Sequence, residues 1–242
     1  MAERKIKALY MGERFARCLE QHRQARVFSV HRKVINLSVE DELLALALPQ
    51  AGGSSRFLCL SALPDVKPGD LFLLNLREMK IDLSEVPLWR GPLPSDTRAQ
   101  ITSELLADFV TNGTCLCHLF PRVVTPQNVQ HYIGLGPGLT PAGDDVLLGY
   151  IAADNHLGGD PAHTKAMHEA VLANLGRTTR LSAQLLNNAI ARDYHESIQR
   201  VLAILCGISS ENLLTALRRL AQMGATSGQS IIYGMQLALE RR

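Results

Sequence analysis

A glycine- and proline-rich segment that leads into a helix constrains this chain more than any other feature. Residues 134–145, here called the glycine loop, read Gly-Leu-Gly-Pro-Gly-Leu-Thr-Pro-Ala-Gly-Asp-Asp. Glycines at alternate positions permit positive φ angles and let backbone N–H groups approach a ligand closely. Thr140 is a good N-cap residue, and Pro141 suits the first position of a helix. The segment therefore predicts a tight loop ending at a helix N-terminus, which attracts anions such as phosphate or carboxylate.

Two adjacent carboxylates, Asp144 and Asp145, fall in the first turn of the predicted helix. They would repel a bare phosphate, so they favour a Mg²⁺ ion between the protein and the anion, held by one or two carboxylates plus substrate oxygens. Alternatively, both merely complement the helix dipole, at roughly 0.3–1 kcal/mol each. We favour the ligand site, with Asp144 and Asp145 as its catalytic and metal-binding residues. The glycine loop matches neither a P-loop nor a dinucleotide-binding fingerprint.

Two other predicted helices also begin with hydroxyl residues, near 178–182 and near 226–228. Each start taken singly is explained by ordinary N-capping. Together with Thr140 they predict three helix N-termini that converge on one anion pocket, with Asp144 or Asp145 at its edge. Whether Arg177 and Arg180 contribute charge there or lie in a solvated loop stays open. The predicted ligand-binding residues are glycines and hydroxyl residues at these helix starts: Gly134, Gly136, Gly138, Thr140, Gly143, Thr178, Thr179, Ser182, Thr226, Ser227 and Gly228.

These motifs resemble the signature of the AllH-like family, a bacterial group whose better-known members are encoded beside oxamate carbamoyltransferase components in purine (allantoin) catabolism. The glycine loop carries most of the resemblance, and the segments at 177–182 and 224–228 resemble two shorter family blocks. The last family block has a histidine before its hydroxyl residues, where this chain has Ala225, so no histidine role carries over.

The resemblance implies a subunit, or a paralogue of one, of an oxamate carbamoyltransferase-type complex. It also implies neighbouring carbamoyltransferase subunits as partners, and carbamoyl phosphate or an oxamate-like anion as the ligand. Two other functions stay open. The chain could be a non-catalytic partner that binds a ligand or nucleotide and regulates a larger enzyme, or a stand-alone phosphate-transfer enzyme that uses Mg²⁺.

Composition and charge exclude several other classes. A net charge of +2 over 242 residues gives no reason to expect nucleic acid or an acidic membrane surface as a partner. The longest apolar run, residues 146–153, is too short to span a bilayer. Five scattered cysteines indicate reduced thiols in a cytoplasmic protein. Cys115 and Cys117 lack the spacing of a zinc site.

Residue patterns divide the chain into two predicted domains and an α+β fold. Residues 1–94 contain short apolar runs separated by turns, typical of an antiparallel sheet or small barrel. We predict strands at 27–30, 34–37, 43–48, 57–60 and 71–76, and a proline-rich linker at 87–94. Residues 95–242 read as an α-helical domain that carries the glycine loop. Its predicted helices cover 97–112, 141–156, 161–175, 179–192, 195–206, 210–223 and 228–240. They are apolar enough to be buried on several sides or to form homo-oligomer contacts.

Overall fold

A computed structural model describes residues 6–74, 81–82, 87–89, 120–157 and 160–241. The chain divides into two compact units, Met1–Gly91 and Pro92–Arg242. The first unit is built on a sheet and the second on helices, which confirms the predicted α+β fold. The predicted boundary at 94/95, the helix at 97–112 and the cysteines at 115 and 117 lie outside the described residues, and the predicted linker lies mostly outside them.

The first unit is a curled sheet of six main strands in the order β6-β2-β3-β4-β5-β1. These strands are β1 (Ile6–Gly12), β2 (Gln24–Val30), β3 (Val34–Val39), β4 (Glu42–Ala47), β5 (Phe57–Leu60) and β6 (Leu71–Leu73). Two short segments, β7 (Ile81–Asp82) and β8 (Leu88–Trp89), pair with β1 in parallel. The main pairs are antiparallel except β4 and β5, which run parallel.

Helix α1 (Glu13–Gln21) follows β1 directly. Its Phe15 and Cys18 are buried in one cluster with Val27 of β2 and Leu37 of β3, so α1 covers one face of the sheet. The residue patterns predict five of the six main strands but neither β1 nor α1. Residues 13–21 are rich in Arg, Glu and Gln, and Phe15, Cys18 and Leu19 hold this helix to the sheet in an otherwise polar sequence.

The second unit contains six described α-helices, of which α2 is the central one. They are α2 (Ala142–His156), α3 (Pro161–Asn174), α4 (Arg180–Ile190), α5 (Glu196–Leu205), α6 (Leu213–Ala221) and α7 (Ser227–Glu240). Every residue of α2 is buried, as expected for a helix whose middle, residues 146–153, is apolar on all sides. The helix bounds agree with the sequence prediction within a few residues. None of the helices in the described ranges is long and apolar enough to cross a membrane.

Two glycines let α2 and α7 cross at close range. A Cβ added to Gly149 of α2 would lie 1.9 Å from the Ile231 carbonyl oxygen, and one added to Gly234 of α7 would lie 1.9 Å from the Val146 carbonyl oxygen. Real Cβ atoms do not approach a carbonyl oxygen so closely, so both positions require glycine. This crossing fixes the start of α7 beside the start of α2.

Candidate functional site

The glycine loop takes a backbone path that ordinary residues disfavour. Gly134, Gly136 and Gly138 have φ angles of 74°, 116° and 97°, which confirms the predicted positive-φ conformation and explains their glycine. Residues 135–138 are exposed, whereas Ala142 to Asp145 are buried. The loop thus joins a solvent-facing turn to the buried beginning of α2.

Asp144 links the glycine loop to the start of α4. Its Oδ1 accepts a hydrogen bond from the Gly134 N–H at 2.8 Å. Its Oδ2 accepts hydrogen bonds from the Thr178 hydroxyl and, at 2.7 Å, from the Ser182 hydroxyl. The side chain is 1% exposed. Burial raises the pKa of Asp144, and these three hydrogen bonds oppose that shift because they stabilise the ionised form. Asp144 is therefore an internal anchor whose two oxygens already have donors.

The three predicted helix starts meet at this place. Thr179 caps α4 by accepting a hydrogen bond from the Ser182 N–H at 3.1 Å, and its hydroxyl donates to the Leu139 carbonyl of the glycine loop. The Thr140 and Ser227 hydroxyls lie 3.2 Å apart, which joins the glycine loop to the start of α7. These contacts bring the three helix starts together, and a shared anion pocket with a bound ligand stays a prediction.

The sequence predicts Thr140 as the N-cap of α2, but in the structure Thr140 does not cap this helix. The helix begins at Ala142 with Pro141 in the N-cap position and without a side-chain cap, because the Thr140 hydroxyl contacts Ser227 instead. Thr226 stands at the N-cap of α7 and also makes no side-chain cap within the described residues. Of the three helix starts, only α4 has an ordinary hydroxyl cap.

Asp145 differs from Asp144 in having a free acceptor. The residue is 3% exposed, and its Oδ2 is buried with no hydrogen-bond partner among the described residues. The carboxyl interacts with the hydroxyls of Ser227 and Thr140. Burial raises the pKa of Asp145 to about 8, with a smaller contribution from the charge of Asp144, while the two hydroxyls lower it. In the absence of a ligand, this carboxyl is expected to hold a proton near neutral pH.

The donor set fits a Mg²⁺ ion only through Asp145. Both Asp144 oxygens accept hydrogen bonds, so a metal there would have to displace three donors. Asp145 Oδ2 offers one free oxygen. The described residues contain no group of three or more His, Cys, Asp or Glu side chains that could hold a metal. The Mg²⁺ prediction thus reduces to one carboxylate oxygen plus ligand oxygens.

Several glycines predicted to bind a ligand lie closely against other backbone. A Cβ on Gly134 would lie 2.3 Å from the Arg177 carbonyl oxygen, one on Gly143 would lie 2.0 Å from that of Tyr132, and one on Gly228 would lie 1.9 Å from that of Leu220. A Cβ on Gly136 would lie 3.0 Å from the Ala142 nitrogen. Gly138 alone among these five glycines has no neighbour within 4 Å of an added Cβ, so it is the one with room for a ligand beside its backbone.

A second buried polar group lies at the other end of α2, and the sequence pattern did not single it out. Asp154 accepts hydrogen bonds from Thr164 and, at 3.0 Å, from Arg241. Asn155 donates to the Ala189 carbonyl and to the Tyr194 hydroxyl, each at 3.0 Å. These contacts tie α3, α4 and the C-terminal end of α7 to the central helix. The sequence does not predict these contacts, because the residues that make them are far apart along the chain and belong to no motif.

Comparison with known proteins links this site to a family. The model of the family described as oxamate carbamoyltransferase subunit AllH matches residues 132–239, a range that contains the glycine loop and all three converging helix starts. A comparison with solved structures finds no match. Residues 132–239 therefore match the family of oxamate carbamoyltransferase subunit AllH, as their motifs indicate.

Proposed function

We propose that this protein is a subunit of an oxamate carbamoyltransferase complex and that it binds the anionic end of carbamoyl phosphate or of an oxamate-like ligand at the glycine loop. The proposal rests on the convergence of three helix N-termini at the family's signature segment. Each N-terminus carries about half a positive elementary charge. Thr140, Thr179 and Ser227 bring these ends within direct contact of one another or of the loop.

The gathered helix ends support an anion as the ligand because like-signed dipole ends repel one another. An anion between them would relieve that repulsion and receive hydrogen bonds from hydroxyls and from backbone N–H groups. Part of this donor capacity is used internally: the Gly143 N–H donates to the Leu135 carbonyl, and the Ser182 N–H donates to Thr179. The hydroxyls of Thr140 and Ser227 lie 3.2 Å apart and both interact with the Asp145 carboxyl, so a ligand would take their hydrogen bonds in exchange for these contacts.

Such a site would act on carbamoyl transfer by positioning and by charge stabilisation. The name of the family describes movement of a carbamoyl group to or from oxamate. When phosphate leaves a carbamoyl carbon, negative charge accumulates on its oxygens, and preorganised donors lower the barrier to that step. Thr140 and Ser227 would hold the anionic group, and Asp144 would keep the loop and α4 in place. A Mg²⁺ ion, if the reaction uses one, would contact Asp145.

Calorimetric titration of the purified chain with carbamoyl phosphate and with oxamate tests the binding step. The double variant Thr140→Val, Ser227→Ala should bind the anion about tenfold more weakly, since it lacks two hydroxyl donors. Thr215→Val, which removes an exposed hydroxyl near the start of α6, serves as the matched control and should bind like the wild type. Equal binding by both variants and the wild type would refute the assignment of the site.

Reconstitution with the partner subunits tests the role in the complex. Carbamoyl transfer to oxamate should require this chain, and the Thr140→Val, Ser227→Ala protein should restore it poorly although it still assembles. Full turnover by the partner subunits alone, changed in response to ligand only when this chain is added, would instead identify a regulatory partner.

A further inference from the structure

One carboxylate oxygen at the converging helix starts is buried without a partner. Asp145 is 3% exposed, and its Oδ2 has no hydrogen-bond donor among the described residues. The same carboxyl faces Ser227 at the start of α7 and Thr140 before α2. Folded proteins seldom leave a buried acceptor unpaired, so such an atom at a ligand site calls for a donor that the ligand brings.

We propose that Asp145 Oδ2 accepts a hydrogen bond from the amide NH₂ group of a carbamoyl-bearing anion. This contact selects the amide ligand over an analogue of the same shape that has a methyl group in place of NH₂. Asp145 is then a specificity-determining residue. This inference rests on the proposed function, since it needs the anionic end of the ligand at the helix starts.

The chemistry of the site favours an amide as the missing donor. Phosphate and carboxylate oxygens act as acceptors when ionised, so they suit the helix N-termini but cannot donate a hydrogen bond to Asp145 Oδ2. An NH₂ group on the same small molecule can. Carbamoyl phosphate and oxamate both carry an anionic group and a primary amide, which matches the two needs of this site. A carboxyl group offers an acceptor oxygen whether it is ionised or protonated.

A ligand can reach this oxygen only after a local rearrangement. Asp145 Oδ2 has less than 1 Å² of exposed surface. The Thr140 and Ser227 side chains beside it are half-buried and joined by a hydroxyl contact of 3.2 Å. Separation of this pair would uncover the Asp145 carboxyl and free both hydroxyls for the anionic end of the ligand.

Isosteric ligand pairs test the inference directly. We would titrate the wild-type chain with carbamoyl phosphate and acetyl phosphate, and with oxamate and pyruvate, each pair exchanging NH₂ for CH₃, in the presence of Mg²⁺ and again with a chelator. The wild type should bind each amide at least about tenfold more tightly than its methyl partner. In Asp145→Ala the preference should fall to about one, chiefly because the amide binds more weakly. Asp145→Leu, which keeps the side-chain size without an acceptor, should behave alike.

Asp160→Ala is the matched control, because Asp160 is an exposed carboxylate at the start of α3; it should keep the wild-type preference. Equal binding of amide and methyl ligands by the wild type would overturn the inference and leave the anion site standing. Binding of neither ligand would overturn both proposals. Binding that requires Mg²⁺ and that Asp145→Ala loses equally for both ligands would identify a metal ligand and overturn the amide contact.

Discussion

Asp144 and Asp145 are neighbours in sequence but point to different parts of the structure, because successive side chains on an α-helix are about 100° apart. Asp144 faces Thr178 and Ser182 of the α4 region, whereas Asp145 faces Thr140 and Ser227. The sequence predicts a functional pair of carboxylates. Their different surroundings could not be predicted, since they depend on which helices pack on either side of α2.

Asp145 should make stability depend on pH. Its pKa is raised from 3.8 to about 8 in the folded chain, so between about pH 4 and 8 the native state keeps a proton that the unfolded state loses. The free energy of unfolding should therefore fall as pH rises through this window, by at most about 1.4 kcal/mol per pH unit from this group. Asp145→Asn removes this contribution, and its stability relative to wild type should rise from pH 5 to pH 8.

Urea denaturation of both proteins at pH 5, 6, 7 and 8 measures the effect, with Asp160→Asn as the control for loss of an exposed carboxylate at a helix start. A difference between Asp145→Asn and wild type that stays constant over this range would show that Asp145 is ionised throughout.

Asp144→Asn should destabilise the helical unit more than Asp145→Asn does at pH 7. The amide presents one acceptor and one NH₂ group to three donors, the Gly134 N–H and the hydroxyls of Thr178 and Ser182, so at least one donor loses its partner. Such a loss costs about 1–3 kcal/mol. The double variant with Thr178→Val should lose less than the sum of the two single losses. Additive losses, measured by urea denaturation, would contradict the anchor role.

At the scale of elements, the glycines of the loop differ in what surrounds them. Gly134 and Gly138 both have positive φ, but a Cβ at 134 would lie 2.3 Å from the Arg177 carbonyl oxygen, whereas one at 138 meets nothing within 4 Å. Gly138→Ala should therefore cost only the conformational penalty, about 1–2 kcal/mol. Gly134→Ala should cost clearly more, because the loop must also move away from Arg177.

Thermal unfolding of Gly134→Ala and Gly138→Ala measures this difference in stability. Gly176→Ala, which has open space around its added Cβ, is the control. Equal melting temperatures for the Gly134 and Gly138 variants would mean that the loop relaxes freely away from the start of α4.

Helix α2 and helix α7 depend on glycine where they cross. In Gly149→Ala the new Cβ would lie 1.9 Å from the Ile231 carbonyl oxygen, and overpacking of this kind costs about 1–3 kcal/mol. We expect the melting temperature to fall by roughly 5 °C for a unit of this size, with Gly176→Ala again as the control. An unchanged melting temperature would show that the two helices can separate without loss.

Periodicity and turn residues predicted most elements because helices such as α6 have an apolar face of period 3.6 and end close to a glycine. Gly224, for example, has the positive φ of 64° expected of a residue that ends a helix. The bounds of these elements could be predicted without knowledge of tertiary contacts. The helix crossing at Gly149 and Gly234 could not, because nothing in the local sequence distinguishes a glycine at a crossing from a glycine elsewhere in a helix.

At the scale of the whole molecule, the change from strand to helix patterns predicted two structural units, and the chain divides after Gly91. The meeting of the three helix starts was also predicted, from the hydroxyl residues that stand at each of them. The different roles of Asp144 and Asp145 could not be predicted, because they depend on individual hydrogen bonds between segments as distant in sequence as Thr140 and Ser227. The parallel pairing of β4 with β5 likewise has no signature in either strand.

The complete burial of α2 has a consequence for amide hydrogen exchange. Every residue of α2 is buried, so its amides can exchange with solvent only when the helical unit opens as a whole. Residues 43–47 of β4, each with 0% exposure, report in the same way on the sheet unit. In one exchange experiment, α2 and β4 thus measure the opening free energies of the two units separately. Different protection factors would show that the units open independently, and identical values under all conditions would show a single cooperative unfolding unit.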